Sequence, residues 1–327
     1  MGDKNASCGK MPLSIGGQAV MEGVMMKGDH HYAVAVRKPD GEIHVESFDT
    51  DSLTVRHKIL GWPFIRGIIR FAESLVIGMR TLTYSAGFML EEEETAKTPE
   101  TKLDKWKQEH GDNVLMGGTI VIAVVFALAL FIVLPVFLSR LLSNVVEVSW
   151  VLNILEGVIR VLIFVLYIVA ISRMKDIQRV FEYHGAEHKT IACYESGDEL
   201  IPENVARHSR LNRRCGTSFI FLVMVISILI FMFVQAPNPL LRIVYRILLI
   251  PVVAAVSYEV LRLSARSKSK VLGAFVYPGL LLQKLTTKEP DHAEIEVAIA
   301  SVISVLSTED ALPDSLSAKS AAVEADG

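Results

Sequence analysis

The residues of this sequence that are best suited to chemistry lie in one stretch, residues 181–195, which reads FEYHGAEHKTIACYE. In a helix, His184 and His188 would lie one turn apart and point in the same direction. Two imidazoles with a carboxylate nearby are ligands that a divalent metal, zinc above all, takes in proteins. The order His-x-x-Glu-His also matches the inverted zinc-peptidase arrangement, in which the glutamate acts as general base. The stretch therefore predicts a metal-dependent hydrolase with Glu187 as its catalytic residue.

A metal site needs three or four ligands, so the two histidines alone do not complete one. Glu195 follows His188 by seven residues and lies on the same side of a helix, which makes it a candidate ligand. Glu22 is a second candidate, because a carboxylate in the apolar stretch VMEGVMM is costly to bury without a partner. The alternative for Glu22 is a strand-edge residue that faces water or pairs with a basic side chain. The remaining site candidates are His208, Cys215 and Lys189.

The same side chains also fit a protein that binds no metal. Histidine and glutamate at a helix end near lipid headgroups are good hydrogen-bonding groups, and they can hold neighbouring segments together. Cys215 fits two further roles, a nucleophile beside a histidine or a small residue at the start of a helix. From these residues alone, the stretch is either a metal centre or a structural cluster.

Composition indicates a membrane protein. Of the 327 residues, 51% are hydrophobic, and they are concentrated in a few long runs rather than spread as in one large core. Four of these runs reach the roughly 20 residues that are needed to cross a bilayer. The four predicted spans lie at about residues 114–138, 149–172, 216–235 and 240–261. The net charge of -3 argues against binding of nucleic acid through bulk charge.

Basic residues predict the orientation of the four spans. The connection between the second and third spans, residues 173–215, contains eight arginines and lysines, and a second basic run follows the fourth span. The positive-inside rule places both regions in the cytoplasm, and an even number of spans then places both chain ends there. The three cysteines show no CxxC spacing, which suits a reducing compartment. We therefore predict a multi-pass protein of the cell membrane, with the histidine stretch just under the inner leaflet.

The predicted fold is a four-span α-helical membrane protein with a cytoplasmic α+β portion. Runs at 32–37 and 42–48, separated by the turn sequence KPDG, indicate a small antiparallel sheet. Residues 64–90 carry charges close to one helical face, so we expect an amphipathic helix that lies on the membrane or packs against the spans. Asp291 and Glu294 form a capping-box pattern, which predicts a helix near the C-terminus.

These elements divide the chain into seven predicted segments. They are a disordered start at 1–11, a β-rich segment at 12–63, the amphipathic helix at 64–90, a charged linker at 91–113, the membrane region at 114–261, an interfacial segment and helix at 262–310, and a disordered tail at 311–327. The interfacial segment is expected to be broken at Pro278-Gly279, because proline and glycine both disfavour a continuous helix.

Charged residues also occur inside the predicted spans. Glu156 and Arg160 are four residues apart in the second span, at depths of about 9 and 15 Å when 1.5 Å per residue is counted from Trp150. Charges at such depth are costly and are functional candidates by default, as a site for a proton, an ion or a lipid headgroup. The alternative is a neutralising pair that fixes the register of the helices. Arg246 and Glu259 of the fourth span are candidates to join them.

Four stretches of the chain resemble the YqhQ-like family of bacterial membrane proteins: IGGQAVMEGVMM, EYHGAEHKTIACYE, RRCGTSF and LTTKEPD. The resemblance covers the chain from about Leu13 to Leu306 and implies a protein of the bacterial inner membrane. The family is of unknown function and is sometimes labelled a predicted metal-dependent enzyme. Its members often have a histidine two or three residues before Arg-Cys-Gly-Thr, where this chain has Asn212, a poor replacement for an imidazole ligand. His208, one helical turn earlier, is the substitute that this chain offers.

Two functions from different classes fit the sequence. The first is a metal-dependent hydrolase that uses a divalent metal such as zinc on a membrane-proximal peptide or ester bond. The second is a non-catalytic membrane scaffold or assembly factor, whose cytoplasmic face binds a protein partner or lipid headgroups. Membrane lipids are expected partners in both cases, a homo-oligomer is compatible with both, and nucleic acid belongs to neither. The presence of bound metal distinguishes the two functions.

Overall fold

The structure is a computed structural model, and it describes residues 13, 15–50, 61–62, 65–95, 112–144, 146, 148–234, 238–266 and 269–309. The predicted disordered ends at 1–11 and 311–327 lie outside the described residues, as does most of the predicted charged linker. The described part of the chain begins with a small sheet and continues as a series of helices.

The strands are β1 (Gly16–Val20), β2 (Gly23–Lys27), β3 (His31–Arg37) and β4 (Ile43–Asp49). The helices are α1 (Ile65–Thr95), α2 (Asp112–Leu128), α3 (Leu134–Leu141), α4 (Ser149–Ile171), α5 (Lys175–Ser196), α6 (Pro202–Val205), α7 (Gly216–Phe231), α8 (Pro239–Arg266), α9 (Lys270–Thr286) and α10 (His292–Thr308). A π-helical turn, Ala129–Val133, joins α2 to α3 without a break, and a short 3-10 turn, Leu142–Asn144, follows α3.

The sheet is an antiparallel meander in which the four strands pair in chain order, so the predicted antiparallel sheet is confirmed. Gly41, at a φ of 88°, closes the predicted KPDG turn, and its N–H donates to the Lys38 carbonyl. The turn between β1 and β2 holds Glu22 at a φ of 47°, a left-handed conformation that is uncommon for a residue other than glycine. Glu22 thus lies at a strand end rather than within a strand.

Helices cover both faces of the sheet. Successive residues of a strand point to opposite faces, so β2 and β3 contribute to two separate cores. Val34 packs with apolar residues of α1 on one face. Met26 and Ala35 pack on the other face, together with buried residues of α5 and α10. The sheet therefore fixes the position of α5, which carries the histidine stretch.

Helix α1 is the predicted amphipathic helix, and it packs against α8 and the sheet. Near its start, Arg66 donates two hydrogen bonds to Glu259 of α8, at 2.7 and 2.6 Å. The helix extends to Thr95, past the predicted end at residue 90. The reason is the run of glutamates after residue 90, since glutamate is a good helix former and the charged sequence continues the helix.

Three stretches of described helix are long and apolar enough to cross a membrane: Gly117–Leu141, Trp150–Ile171 and Leu240–Ser264. They correspond to the first, second and fourth predicted spans, and they indicate a membrane protein. The third predicted span corresponds to α7, which is apolar but has 16 residues. At 1.5 Å per residue it covers about 24 Å, less than the roughly 30 Å of a bilayer's hydrocarbon core.

The first span contains its π-helical turn, Ala129–Val133, directly before the turn of Pro135. Proline has no N–H, so the carbonyl four residues earlier, that of Phe131, loses its helical partner. Arg160 of α4 replaces the lost donor, because its Nε–H donates to the Phe131 carbonyl at 2.9 Å. The span therefore continues through Pro135 to Leu141, slightly beyond its predicted end.

The prediction of a break at Pro278-Gly279 is wrong, because α9 continues through both residues. Close packing on α7 explains this: a Cβ on Gly279 would lie 2.9 Å from the Ser218 Cα, so glycine lets the two helices approach. The next helix, α10, begins as predicted. Asp291 accepts a hydrogen bond from the Glu294 N–H, and the Glu294 carboxylate accepts one from the Asp291 N–H, which completes the capping box.

Candidate metal centre

Three potential metal ligands meet between α5 and the start of α7. They are His184 and His188, one turn apart on α5, and Cys215, and their ligand atoms all lie within 4.8 Å of one another. The His184 Nε2 atom is 3.2 Å from the Cys215 Sγ atom. The two imidazole rings are in edge contact, with their centroids 4.4 Å apart. Cys215 is the candidate that the structure brings to the histidine pair.

Backbone carbonyls fix the orientation of both imidazoles. The Nδ1 atom of His184 lies 2.9 Å from the Thr286 carbonyl, and the Nδ1 atom of His188 lies 2.6 Å from the Arg210 carbonyl. A carbonyl can only accept a hydrogen bond, so each Nδ1 carries a proton and donates it. In the neutral imidazoles each Nε2 atom then keeps its lone pair, which is the state that a metal-binding histidine requires.

The Nε2 atom of His188 gives the sharpest test of whether a metal fits. His188 is 1% exposed, and among the described residues no group forms a hydrogen bond with its buried Nε2 atom. Buried polar atoms are nearly always paired in folded proteins, so an orphaned nitrogen indicates a partner such as an ion. The donor set of two nitrogens and one sulfur suits zinc. The residues of the cluster therefore fit a metal.

Cys215 is placed at the cluster by its position in front of α7. It is the N-cap residue of that helix, and its Sγ atom accepts a hydrogen bond from the Thr217 N–H at 3.4 Å. The sulfur lies between this backbone donor and His184. The sequence left two roles open for Cys215, and the structure shows one of them, a residue at the start of a helix. Its contact with His184 also makes it a candidate metal ligand or hydrogen-bond partner.

Glu187 is buried beside the cluster. Its Oε2 atom lies 4.0 Å from the His184 Nε2 atom, and β1 packs against its side chain. A Cβ on Gly17 of β1 would lie 2.8 Å from the Glu187 Cγ, so the strand leaves room for the carboxylate only because that residue is glycine. Burial raises the pKa of Glu187 to about 7, and the neighbouring His184 partly opposes this rise.

Two of the carboxylates proposed as ligands have other partners. Glu22 accepts hydrogen bonds from the Arg179 guanidinium, at 3.0–3.1 Å, and from the Tyr183 hydroxyl at 3.2 Å. Glu195 forms an ion pair with Arg214 of the loop before α7. For Glu22 the structure thus shows the second alternative, a residue at the end of a strand that pairs with a basic side chain.

The other site candidates also lie outside the three-residue cluster. His208 Nε2 is 2.9 Å from the Asp198 carboxylate. Lys189 is buried, donates to the Ala206 carbonyl at 2.8 Å and forms an ion pair with Glu289. The His208 contact lies within the loop after α5, whereas Lys189 joins α5 to that loop and to the segment before α10, so both residues have structural partners.

Arg179 is the important residue that sequence reasoning missed. Besides Glu22 it binds Glu294 of α10, and its guanidinium stacks over the Tyr183 ring at 5.0 Å. It thereby joins the β1–β2 turn, α5 and α10 around one cation. The sequence offered one signal, since Arg179 and Tyr183 are four residues apart and therefore lie on one face of a helix.

The predicted contact between Glu156 and Arg160 is observed, and Arg246 joins it. Arg160 donates to the Glu156 carboxylate at 2.9 Å, and Arg246 of α8 binds the same carboxylate. Arg246 also donates to the Asn153 side-chain oxygen at 3.3 Å. Glu259, the other candidate, pairs instead with Arg66, as described above. The cluster therefore joins α4 to α8 through a carboxylate shared by two arginines.

The fold combines three apolar helical stretches that indicate a membrane protein with a histidine–histidine–cysteine cluster between α5 and the start of α7. The chain belongs to the family described as "Protein of unknown function (DUF1385)", whose profile matches residues 62–308. It is 36% identical over 312 residues to "Uncharacterized protein YqhQ" from Bacillus subtilis (strain 168), a match that covers 92% of this chain and 94% of that protein. No solved structure matches the chain. The family resemblance is therefore confirmed.

Proposed function

We propose that the protein is a metal-dependent enzyme of the membrane surface, with hydrolysis as its reaction. His184, His188 and Cys215 would hold a divalent metal, and zinc suits this set of donors best. The observation that carries the proposal is the buried, unpartnered Nε2 atom of His188, which is oriented toward the cluster by the Arg210 carbonyl. Zinc centres with three protein ligands are catalytic in most cases, because the fourth position stays open.

Glu187 is the residue proposed to act as general base and general acid. A catalytic metal supplies Lewis acidity and activates water for hydrolysis near neutral pH. Glu187 is buried within 4.0 Å of His184 and is separate from the three ligands, so its carboxylate is available to accept and return a proton. Gly17 keeps the carboxylate in place by letting β1 pack directly on it.

The proposed location is the cytoplasmic side of the cell membrane, with four spans. Helix α7 serves as the third span, because it is apolar throughout and its helical turns continue to Val234. The basic connection between the second and third spans supports a cytoplasmic position for α5. Since α5 begins four residues after the end of α4, the cluster would lie close to the membrane surface.

A non-catalytic role is the second candidate, and one observation favours it. The distance of 3.2 Å between His184 Nε2 and Cys215 Sγ is also that of a hydrogen bond from a thiol to an imidazole. In that case the cluster would fasten α5 to α7 without metal, and the protein would act as a scaffold. Metal content separates the two candidates, because only the enzyme requires the ion.

We expect the purified full-length protein to contain about one zinc per chain, and the His184→Ala/His188→Ala variant to contain none, because it lacks two of three ligands. Elemental analysis after purification without chelator measures this. His208→Ala is the matched control: that histidine is in the following loop, pairs with Asp198 and lies outside the cluster. Glu187→Gln should also retain zinc. A native protein without metal would remove the enzyme proposal and leave the scaffold.

A further inference from the structure

The cavity next to the cluster is lined by arginines. It has a volume of about 960 Å³, and His188 forms part of its wall. The basic lining residues are Arg66 and Arg70 of α1, Arg213 and Arg214 of the loop before α7, and Arg262 of α8. Glu195 is the only acidic residue among the lining residues that the structure describes. Three separate elements thus direct positive charge to the space beside the candidate metal centre.

Part of this charge is not neutralised. Arg66 pairs with Glu259 at 2.6 Å, and Arg214 pairs with Glu195. Arg213 and Arg262, in contrast, form no ion pair or hydrogen bond within the described part of the chain. Cations that converge on a concave space without counter-charges repel one another, so an anion in that space is the arrangement that stabilises them.

The type of cation indicates which anion. All five basic lining residues are arginines, whose planar guanidinium groups bind phosphate and carboxylate oxygens through paired hydrogen bonds. A carboxylate offers two oxygens in one plane, whereas a phosphate offers several oxygens in different directions. Arginines that approach from α1, α8 and the loop before α7 therefore fit a phosphate group better than a carboxylate.

The cavity also has an apolar side, which lies at the level where a membrane helix ends. Tyr258 and Leu261 of α8 line it beside Arg262. These residues belong to the last turns of the membrane-crossing stretch Leu240–Ser264. In a phospholipid, the phosphate would contact the arginines and the attached apolar group would contact Tyr258 and Leu261. A soluble phosphate compound would contact the arginines alone.

We propose that this cavity binds the phosphate group of the substrate, so that the substrate class of the enzyme is a phosphate-bearing molecule at the membrane surface. The assignment as a substrate pocket rests on the proposed function, because it uses the wall that His188 shares with the cluster. The binding of phosphate by the arginines does not depend on the metal.

The experiment compares full-length protein with an Arg213→Ala/Arg262→Ala variant in detergent micelles. One arm titrates inorganic phosphate by calorimetry, and the other titrates phosphatidic acid against diacylglycerol, which lacks only the phosphate. A charge-assisted hydrogen bond contributes a factor of about ten or more in affinity, so the variant should bind phosphate at least about 10-fold more weakly. Arg207→Ala is the matched control, since Arg207 is exposed in the same loop and lies outside the cavity lining.

Each outcome supports or overturns the phosphate site. A loss confined to phosphatidic acid assigns a lipid phosphate, a loss confined to inorganic phosphate assigns a soluble compound, and a loss in both supports the shared chemistry. Absence of binding in native protein overturns the proposal, as does equal weakening by Arg207→Ala. Thermal unfolding verifies that the variants are folded, and Arg213→Ala alone is the second variant, because this exposed residue has no described partner to lose.

The failure of this site and the failure of the proposed function give different results. If native protein contains zinc but binds no phosphate, the metal centre is supported and the proposed substrate class is overturned. If native protein binds phosphate through Arg213 and Arg262 but contains no zinc, the anion site is supported and the proposed enzymatic function is overturned. The His184→Ala/His188→Ala variant should bind phosphate with its arginines intact.

Discussion

Glu156→Gln is expected to lower the free energy of unfolding by about 3–5 kcal/mol, the cost of removing one partner from a buried charge network. Glu156 is 1% exposed and is the carboxylate that both Arg160 and Arg246 bind. Glutamine has nearly the same shape but no charge, so the two guanidinium groups would remain with neutral partners such as the Asn153 amide. The unfolding midpoint of the purified protein in detergent measures the loss.

Two further variants test whether the unpaired charge causes the loss of stability. In Glu156→Gln/Arg246→Met one cation is removed with the anion, so the double variant should regain a large part of the lost stability. Glu259→Gln breaks the pair with Arg66, whose side chains are 16% and 22% exposed, and should cost about 1 kcal/mol or less. A Glu156→Gln variant as stable as native protein would show that the cluster does not hold α4 against α8.

Cys215→Ser is expected to weaken zinc binding by at least about 100-fold. Structural zinc sites bind with about 10–16 kcal/mol over all ligands, so one thiolate contributes about 3 kcal/mol. Serine keeps an oxygen that can cap α7 at the Thr217 N–H, so the helix start should survive the change. Competition with a zinc chelator of known affinity measures the difference.

Cys193→Ser is the matched control for this change. Cys193 is a buried thiol on the same helix as the histidines, and its Sγ atom lies 3.6 Å from the Glu199 carbonyl. Burial, with a smaller contribution from Asp198, raises the pKa of Cys193 to about 11, and this thiol lies outside the cluster of His184, His188 and Cys215. Its substitution should leave zinc affinity unchanged. Equal losses in the two serine variants would contradict a specific role for Cys215.

Local sequence patterns predicted the elements that position the site. The one-turn spacing of His184 and His188 is a property of any helix, and the structure places both on α5. The KPDG turn and the capping box at Asp291 depend on nearest neighbours in the chain, and both are confirmed. The apolar runs likewise predicted the three stretches that are able to cross a membrane.

Contacts between segments that are far apart in the chain could not be predicted from local sequence patterns. Cys215 was one candidate among several, because nothing local shows that the chain returns to His184 after the loop that follows α5. The carbonyls of Thr286 and Arg210, which orient the imidazoles, carry no side-chain signal. Glu22 looked like a ligand because its partner, Arg179, is far from it in the chain and comes close only when β1 packs on α5.

X-ray absorption at the zinc edge of the purified native protein tests the proposed centre most directly. A site built by His184, His188 and Cys215 predicts two nitrogen ligands at about 2.0–2.1 Å and one sulfur ligand at about 2.3 Å. The sulfur contribution should disappear in Cys215→Ser and persist in Cys193→Ser. A native spectrum with oxygen and nitrogen ligands only, or a protein that binds no zinc, would contradict the centre.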